Sequence, residues 1–378
     1  MKILIVPSWY ADRRDELGTG GIFHYEQAKE LSKNNTVAIY YMFDGNLEED
    51  FYEQNERGIL TYRSKFIMNQ RVRNRVRIFQ AFRRIIKEFK PDIIHTHVAT
   101  EAGRYVALWS SLFKIPFIVT EHSTVEVTGV DSGLSYQYAK FVYKKSSGNF
   151  CVSENLQQKL KCIFPQYIFR VIYNGIIIPD KIEFRQQYAK VGKCNIGFVA
   201  ALYDREIKGL QYLLPALKEV NAKESKCILH IVGGGEFQEY FQNMVKELQL
   251  DEQVVFYGMC SKEKIYEILA QLDFLVSSSL VESFGCSIAE ALLMGKPVLA
   301  TRCGGPESFV TNKVGILVDK GSVEALRNGI QEMMKKIEQY DAKEIEEYAK
   351  TQFDNTIVCA KYNSYYSQIV NEGKIINS

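Results

Sequence analysis

Short apolar runs rich in β-branched residues recur along this chain at intervals wide enough for a helix, and this alternation restricts the fold more than any other feature. In the first half the runs are KILIVPS, TVAIYYM, DIIHTH, PFIVTEH, NFCVS and VIYNGI; in the second they are CNIGFVA, CILHIVG, VVFYG, FLVSSS, PVLAT and GILVD. Strand, helix, strand in that order predicts parallel sheets covered by helices on both faces. Twelve strands exceed one comfortable sheet, and the polar stretch PDKIEFRQQYAKVGK (179–193) has little strand signal. A boundary there predicts two similar α/β domains, 1–185 and 186–349, with hinge motion expected near 179–193. From about Tyr348 the chain reads as helical and tyrosine-rich, and a helix over about 350–378 is free to pack back on the N-terminal domain.

With 378 residues, 46% apolar and 24% charged, the composition is that of an ordinary globular chain. No run of about 18 apolar residues occurs, so no spanning helix is expected. The opening MKILIVPSWYADRR has too short an apolar stretch for a secretory signal and reads as a first strand, which points to a cytoplasmic protein. Eight scattered cysteines without a CxxC pair read as small buried hydrophobes in a reducing compartment. His95 and His97 share one face of a strand, but no carboxylate or third histidine lies nearby in sequence, so no metal site is expected.

Charge is uneven. Residues 63–90 carry ten basic side chains and one acidic one, a local charge of +9 that leaves −7 for the rest of the chain. Val72, Val76, Phe79, Phe82, Ile86 and Phe89 recur there every three or four residues, the pattern of a basic amphipathic helix. Two readings fit: a domain helix with a solvated outer face, or a surface that touches anionic lipid. Nucleic acid fits poorly, because the phenylalanines fall on the apolar face rather than beside the arginines.

The chemistry concentrates where strands meet loops. VESFGCSIAE (281–290) lies between the strand FLVSSS and the helical IAEALLMG, so Phe284, Gly285, Cys286 and Ser287 form a loop at a strand's carboxyl end and a helix N-terminus, a setting for phosphate or sugar. Glu290 is placed in the first helical turn, where the macrodipole favours a carboxylate; Glu282, in the loop, has no such structural reason. Two carboxylates beside an anion pocket repel phosphate but accept hydrogen bonds from vicinal hydroxyls, so the spacing suits a sugar nucleotide. GTGGIFHYEQAKEL, with Gly20 and Gly21, is not the dinucleotide fingerprint, which would need glycine where Phe23 stands. IVGGGE, with Gly234, is a second strand–glycine–helix junction. Arg205 and Lys208 follow CNIGFVA at the same sheet edge, where a pair of cations would neutralise a diphosphate.

VESFGCSIAEALLMGKPVLATRCGG resembles the E-x7-E region of the retaining glycosyltransferases of family 4. GTGG, PDIIHTH, VTEHST, CVSEN, VIYNG, the KG at 208–209, IVGGGE, VVFYG and GILVD match in the family's order, over nearly the whole chain. The resemblance implies the GT-B fold, two Rossmann-like domains facing across a cleft. It implies Glu282 on donor-sugar hydroxyls, Phe284 to Ser287 near sugar and diphosphate, and Glu290 on the ribose. It further implies Gly20 and Gly21 in the loop over the diphosphate, His122 beside the transferred sugar, Gly234 in the donor loop, the backbone near Tyr257 to Met259 at the base, and Lys208 on the diphosphate. The chain departs from the family where Leu202 stands at or near an expected arginine, with Arg205 the candidate replacement.

The function expected from this resemblance is retaining transfer of a hexose or N-acetylhexosamine from a nucleotide diphosphate sugar, UDP-linked by preference. The acceptor would be a hydroxyl, expected on a lipid-linked sugar in surface polysaccharide, lipopolysaccharide, capsule or glycolipid synthesis. No DxD triplet occurs, which fits a metal-independent enzyme without cofactors, peripheral on the inner face of the membrane through residues 63–90. A sugar-nucleotide epimerase on the same scaffold and a non-catalytic sugar-nucleotide binding protein are the alternatives.

Overall fold

The computed structural model describes residues 1–11, 21–179, 182, 188–222 and 226–373, so Gly20 and part of the expected hinge stretch, 180–181 and 183–187, lie outside the described residues. The chain divides into two compact units, Met1–Gly175 with Asn355–Ser378, and Ile176–Asp354.

The first unit carries strands β1 (Lys2–Val6), β2 (Thr36–Asp44), β3 (Phe51–Glu56), β4 (Ile59–Lys65), β5 (Ile93–His97), β6 (Phe117–Glu121), β7 (Gly148–Cys151) and β8 (Phe169–Val171). They form one sheet in the order β3-β4-β2-β1-β5-β6-β7-β8, parallel except for the edge strand β3. Its helices are α1 (Ile22–Leu31), α2 (Arg71–Glu88), α3 (Arg104–Phe113), α4 (Val125–Thr128), α5 (Gly133–Lys145) and α6 (Glu154–Ile163). Four consecutive residues of β1, Ile3 to Val6, are fully buried, as expected of a strand covered on both faces. Each such aliphatic side chain contributes roughly 1.5–3 kcal/mol through burial.

The second unit carries β9 (Cys194–Val199), β10 (Cys227–Val232), β11 (Val254–Gly258), β12 (Phe274–Ser277), β13 (Val298–Thr301) and β14 (Gly315–Val318). They form a parallel sheet in the order β11-β10-β9-β12-β13-β14. Its helices are α7 (Leu210–Val220), α8 (Gln238–Glu247), α9 (Lys262–Ala270), α10 (Cys286–Leu293), α11 (Val323–Lys336) and α12 (Ala342–Phe353). The last helix, α13 (Asn355–Glu372), belongs to the first unit, where Val358, Cys359, Tyr362, Tyr366 and Ile369 join the core beside Ile5, Ile118 and Phe150.

Three local expectations change. The run VIYNGI is not itself a strand: β8 ends at Val171, and Ile176 makes only an isolated bridge with Asp354. The hairpin β3–β4 carries no sequence signal, because FYEQNE is a polar edge strand, half-buried at best. Consequently Arg63 is not part of a basic surface. It lies in β4, 2% exposed, with Nη1 donating to Asp44 at 3.0 Å and Nε and Nη2 to the two oxygens of Glu56 at 2.7 and 2.8 Å. α2 does form, but its buried stripe is Asn74, Ile78, Ala81, Phe82 and Ile85, whereas Val72 and Val76 are exposed. The helix sits turned from the orientation that its apolar residues alone predict.

Candidate active site

In the second unit the strand order reverses between β9 and β12, and open α/β sheets bind ligands beyond the carboxyl ends of strands at such a reversal. After β9 the chain turns through Asp204, whose carboxylate accepts from the backbone N–H groups of Glu206 at 2.6 Å and Ile207 at 2.8 Å. Those bonds hold the exposed Asp204 carboxyl below its ordinary value. Gly209, with φ 71°, then lets the turn press on the chain leaving β12: a Cβ there would stand 1.8 Å from the Ser278 carbonyl oxygen. Leu280 N–H donates to the Ile207 carbonyl at 2.7 Å and Ser278 Oγ to that of Lys208 at 3.0 Å.

This seam delivers Lys208 to Glu282. Nζ lies 2.6 Å from Oε1, the same oxygen accepts from Ser279 Oγ at 2.9 Å, and the two side chains are 31% and 17% exposed. The Glu282 backbone is fixed from the other side, its N–H donating to Cys303 O at 3.1 Å and its carbonyl accepting from Gly305 N–H at 2.8 Å. A cation and a carboxylate thus stand half-buried on adjacent loops, one suited to phosphate oxygens and the other to hydroxyls. Arg205 takes another place. Its guanidinium is 59% exposed, 3.5 Å from Glu206, and lines an open cleft of about 450 Å³ with Tyr212 and Tyr240. Leu202, where the family would have arginine, is a core side chain whose N–H donates to Gly234 O at 2.8 Å and whose carbonyl accepts from Phe237 N–H at 3.0 Å.

The glycine loop after β10 lies against the end of β11. Gly234 N–H donates to Met259 Sδ at 3.3 Å, and a Cβ on Gly234 would meet Met259 N at 3.1 Å. Tyr257 turns its hydroxyl to His230 Nδ1 at 2.8 Å. Gly285, with φ 99°, opens α10 at Cys286, with Ser287 next; the Phe284 ring is buried against Phe309 and Phe353. Glu290 is the fifth residue of α10, past the first turn, so the macrodipole does not account for it as expected; it accepts from Tyr266 Oη at 3.3 Å.

The first unit holds a cluster that the sequence did not suggest. No third histidine lies near His95 and His97 in sequence, but the fold supplies two: His24 and His122 both pack around His97, with ring centroids 4.3 and 4.9 Å away, and His95 stacks on it at 4.3 Å. These residues come from β5, the end of β6 and α1, so only the fold brings them together. His97 Nδ1 and His122 Nε2 are 2.7 Å apart, and His95 is tied to Tyr366 Oη at 2.7 Å and Thr120 Oγ1 at 2.8 Å. Burial drives His24, His95 and His97 well below the usual imidazole value, and His122 down to about 3 against an opposing Asn174 hydrogen bond. The cluster is therefore neutral at pH 7. Among the described residues no group of His, Cys, Asp and Glu is arranged to hold a metal ion. Gly21, with φ 68°, opens α1 against Trp9, whose ring centroid is 5.9 Å from that of His122. Directly after His97, Val98 has φ 61°, a strained conformation for a β-branched residue, at the start of a wide helical turn, Val98–Gly103.

Comparison with known proteins agrees with this architecture. Residues 21–178 match the model of Glycosyltransferase Family 4, and residues 180–352 that of Glycosyl transferases group 1. The chain is similar to N-acetyl-alpha-D-glucosaminyl L-malate synthase of Bacillus anthracis, 24% identical over 75% of this chain and 76% of the relative. It is also similar to alpha-monoglucosyldiacylglycerol synthase of Streptococcus pneumoniae, 26% identical over 57% and 53%. Among solved structures, Anabaena HepE in complex with UDP superposes with a TM-score of 0.77 at 20% identity, covering 97% of this chain and 100% of that one. Two parallel-sheet units, the ordered motifs and both family models lead to one conclusion: the chain belongs to family 4 of the glycosyltransferases and has the GT-B fold.

Proposed function

We propose that this glycosyltransferase moves a hexose or N-acetylhexosamine from a UDP-sugar to a hydroxyl of a lipid-linked saccharide, with retention of configuration and without a metal ion. The observation that carries the reading is the Lys208–Glu282 pair, 2.6 Å apart where the strand order of the second unit reverses. Lys208 supplies positive charge to the departing diphosphate, and the Glu282 carboxylate accepts from sugar hydroxyls. The nucleotide follows HepE, solved with UDP and with UDP-glucose. Glu290 takes the ribose, Phe284 to Ser287 border the diphosphate, and Gly234 with Met259 borders the base.

His122 bears on stereochemistry. An inverting reaction needs a general base, and an imidazole pushed down to about 3 is a weak one at pH 7. A neutral His122 is suited instead to a hydrogen bond with a sugar hydroxyl, which favours attack from the face of departure.

Membrane contact is supported by α2, which exposes Arg71, Arg73, Arg75, Arg83 and Lys87 beside Val72, Val76 and the neighbouring Met68. Arg77 and Arg84 are engaged with Asp50, Glu53 and Glu88, so the exposed arginines of the first two turns form the contact. No described helix is long and apolar enough to cross a membrane. The name of the Streptococcus pneumoniae relative, alpha-monoglucosyldiacylglycerol synthase, supports a lipid acceptor, and the exposed basic face of α2 favours a place on the inner membrane face.

The test is a reaction of UDP-, GDP- and ADP-sugars with membrane lipid extract. Expected are release of one nucleoside diphosphate only with extract, an unchanged rate in EDTA, and a glycolipid whose anomeric configuration by NMR equals the donor's. Donor consumed without acceptor and without diphosphate release would instead identify an epimerase.

A further inference from the structure

His122, which the transferase reading above sets beside the transferred sugar, is held by a second histidine. We propose that His97 is a positioning residue: it donates from Nδ1 to His122 Nε2 and so fixes His122 as the tautomer protonated at Nδ1, a donor to the sugar with no free lone pair to act as a base. The role toward the sugar rests on that reading; the pairing of the two rings does not.

Sheet geometry makes the contact. His97 ends β5 in register with Thr120 of β6, so His122, two residues further on, comes to the same face one step along. His95 repeats the relation one step earlier, in register with Ile118 and joined through Nε2 to Thr120 Oγ1 at 2.8 Å. Its Nδ1 is tied to Tyr366 Oη at 2.7 Å, so His95 is a fixed plate on which the His97 ring stacks. His24 closes another side, 4.3 Å away between centroids and nearly edge-on. Held between these rings, His97 keeps Nδ1 at 2.7 Å from His122 Nε2.

The partners choose the proton's place. Both imidazoles are buried and neutral, so each carries one N–H and one lone pair, and the contact needs one of each. Were His122 the donor, the His97 proton would sit on Nε2, a buried nitrogen without a hydrogen-bond partner among the described residues. With His97 as donor, only a lone pair is left at that nitrogen, and a buried N–H is the group that folded chains least often leave unpaired. Asn174 agrees with this choice. It raises His122 against the effect of burial, as an oxygen accepting from a ring N–H does and an amide N–H donated to a bare nitrogen does not. Since Nε2 is committed to His97, that N–H belongs to Nδ1, where Asn174 and a sugar hydroxyl oxygen can share it. An imidazole so arranged has no site for the acceptor's proton, which removes the base that an inverting transfer would need.

The test is nitrogen-15 NMR of the full chain labelled at histidine, whose five residues give a spectrum simple enough to assign, the His122 signals being those lost in His122→Gln. In the wild type His122 should show a protonated Nδ1 and a bare Nε2. His97→Leu should let the two tautomers of His122 exchange and lower kcat about fivefold with little change in the donor KM, and His97→Asn, whose amide N–H replaces Nδ1–H, should recover most of that loss. A wild-type His122 protonated at Nε2 or divided between tautomers would overturn the proposal, and this spectrum decides even if His97→Leu fails to fold. An unchanged tautomer and kcat in a folded His97→Leu would overturn it too. Nucleoside diphosphate release in the same preparations separates the two readings. Turnover with His122 protonated at Nε2 removes the part played by His97 alone, and the expected tautomer without turnover of any nucleotide sugar removes its role toward the sugar.

Discussion

Lys208→Ala is expected to slow sugar transfer about a hundredfold to a thousandfold, the usual effect of deleting a charge donor aimed at a leaving group. The loss should exceed that of an isolated cation, because Glu282, now without its 2.6 Å partner, would face the diphosphate as a bare carboxylate. Two consequences distinguish this from general damage. The double variant Lys208→Ala/Glu282→Ala should bind nucleoside diphosphate more tightly than Lys208→Ala alone, since the repulsion is gone, so the two substitutions will not be additive. Arg205→Ala should cost far less, its guanidinium being exposed beside Glu206. Steady-state rates and diphosphate affinities of the four proteins check all three statements. Equal losses in Lys208→Ala and Arg205→Ala would contradict the assignment.

Acid should destabilise the first unit steeply. Four histidines, His24, His95, His97 and His122, have folded values below the ordinary 6.5, so their contribution to stability is present above about pH 6.5 and is lost as pH falls below it, where the unfolded chain takes up protons that the fold refuses. Glu121 acts in the opposite sense. Burial raises it to about 7 despite hydrogen bonds from Ala99 N–H and Tyr143 Oη, so between pH 7 and about 4.5 the folded state holds a proton that the unfolded state lacks. The net uptake on unfolding is about three protons, a slope of about 4 kcal/mol per pH unit below pH 6. Urea midpoints between pH 7.5 and 5 should fall accordingly, and His24→Phe should flatten the decline by about a quarter to a third. A stability curve flat through this range would show that the cluster is protonated or hydrated in the fold.

The fold was legible because its information is repetitive. β1, β5, β6, β9, β10 and β12 are apolar runs buried on both faces, and such runs separated by helices admit few arrangements. β3 and β4 escaped because one is a polar edge strand and the other carries Arg63, whose burial depends on two partners that only sheet pairing brings near, Glu56 across the hairpin and Asp44 from β2. Lys208 and Glu282 stand out in sequence by motif and position, and their meeting follows from the order in which β9 and β12 neighbour one another. The histidine cluster left only a trace, the HxH at 95 and 97. His24 and His122 are 71 or fewer positions from His95 in sequence but come from separate strands and helices, and no local pattern encodes a contact made across a sheet. For Glu290 the one-turn difference in helix position lay within the usual imprecision of helix ends.

Calorimetric titration of the wild-type chain with UDP, GDP and ADP, repeated on Lys208→Ala and Glu290→Ala, tests whether the loops after β9, β10 and β12 form a nucleotide-sugar site. One nucleotide should bind with unit stoichiometry and lose about tenfold in affinity in each variant, roughly 1.4 kcal/mol. Absence of binding by all three nucleotides, or equal affinity in wild type and both variants, would show that these loops do not hold the donor.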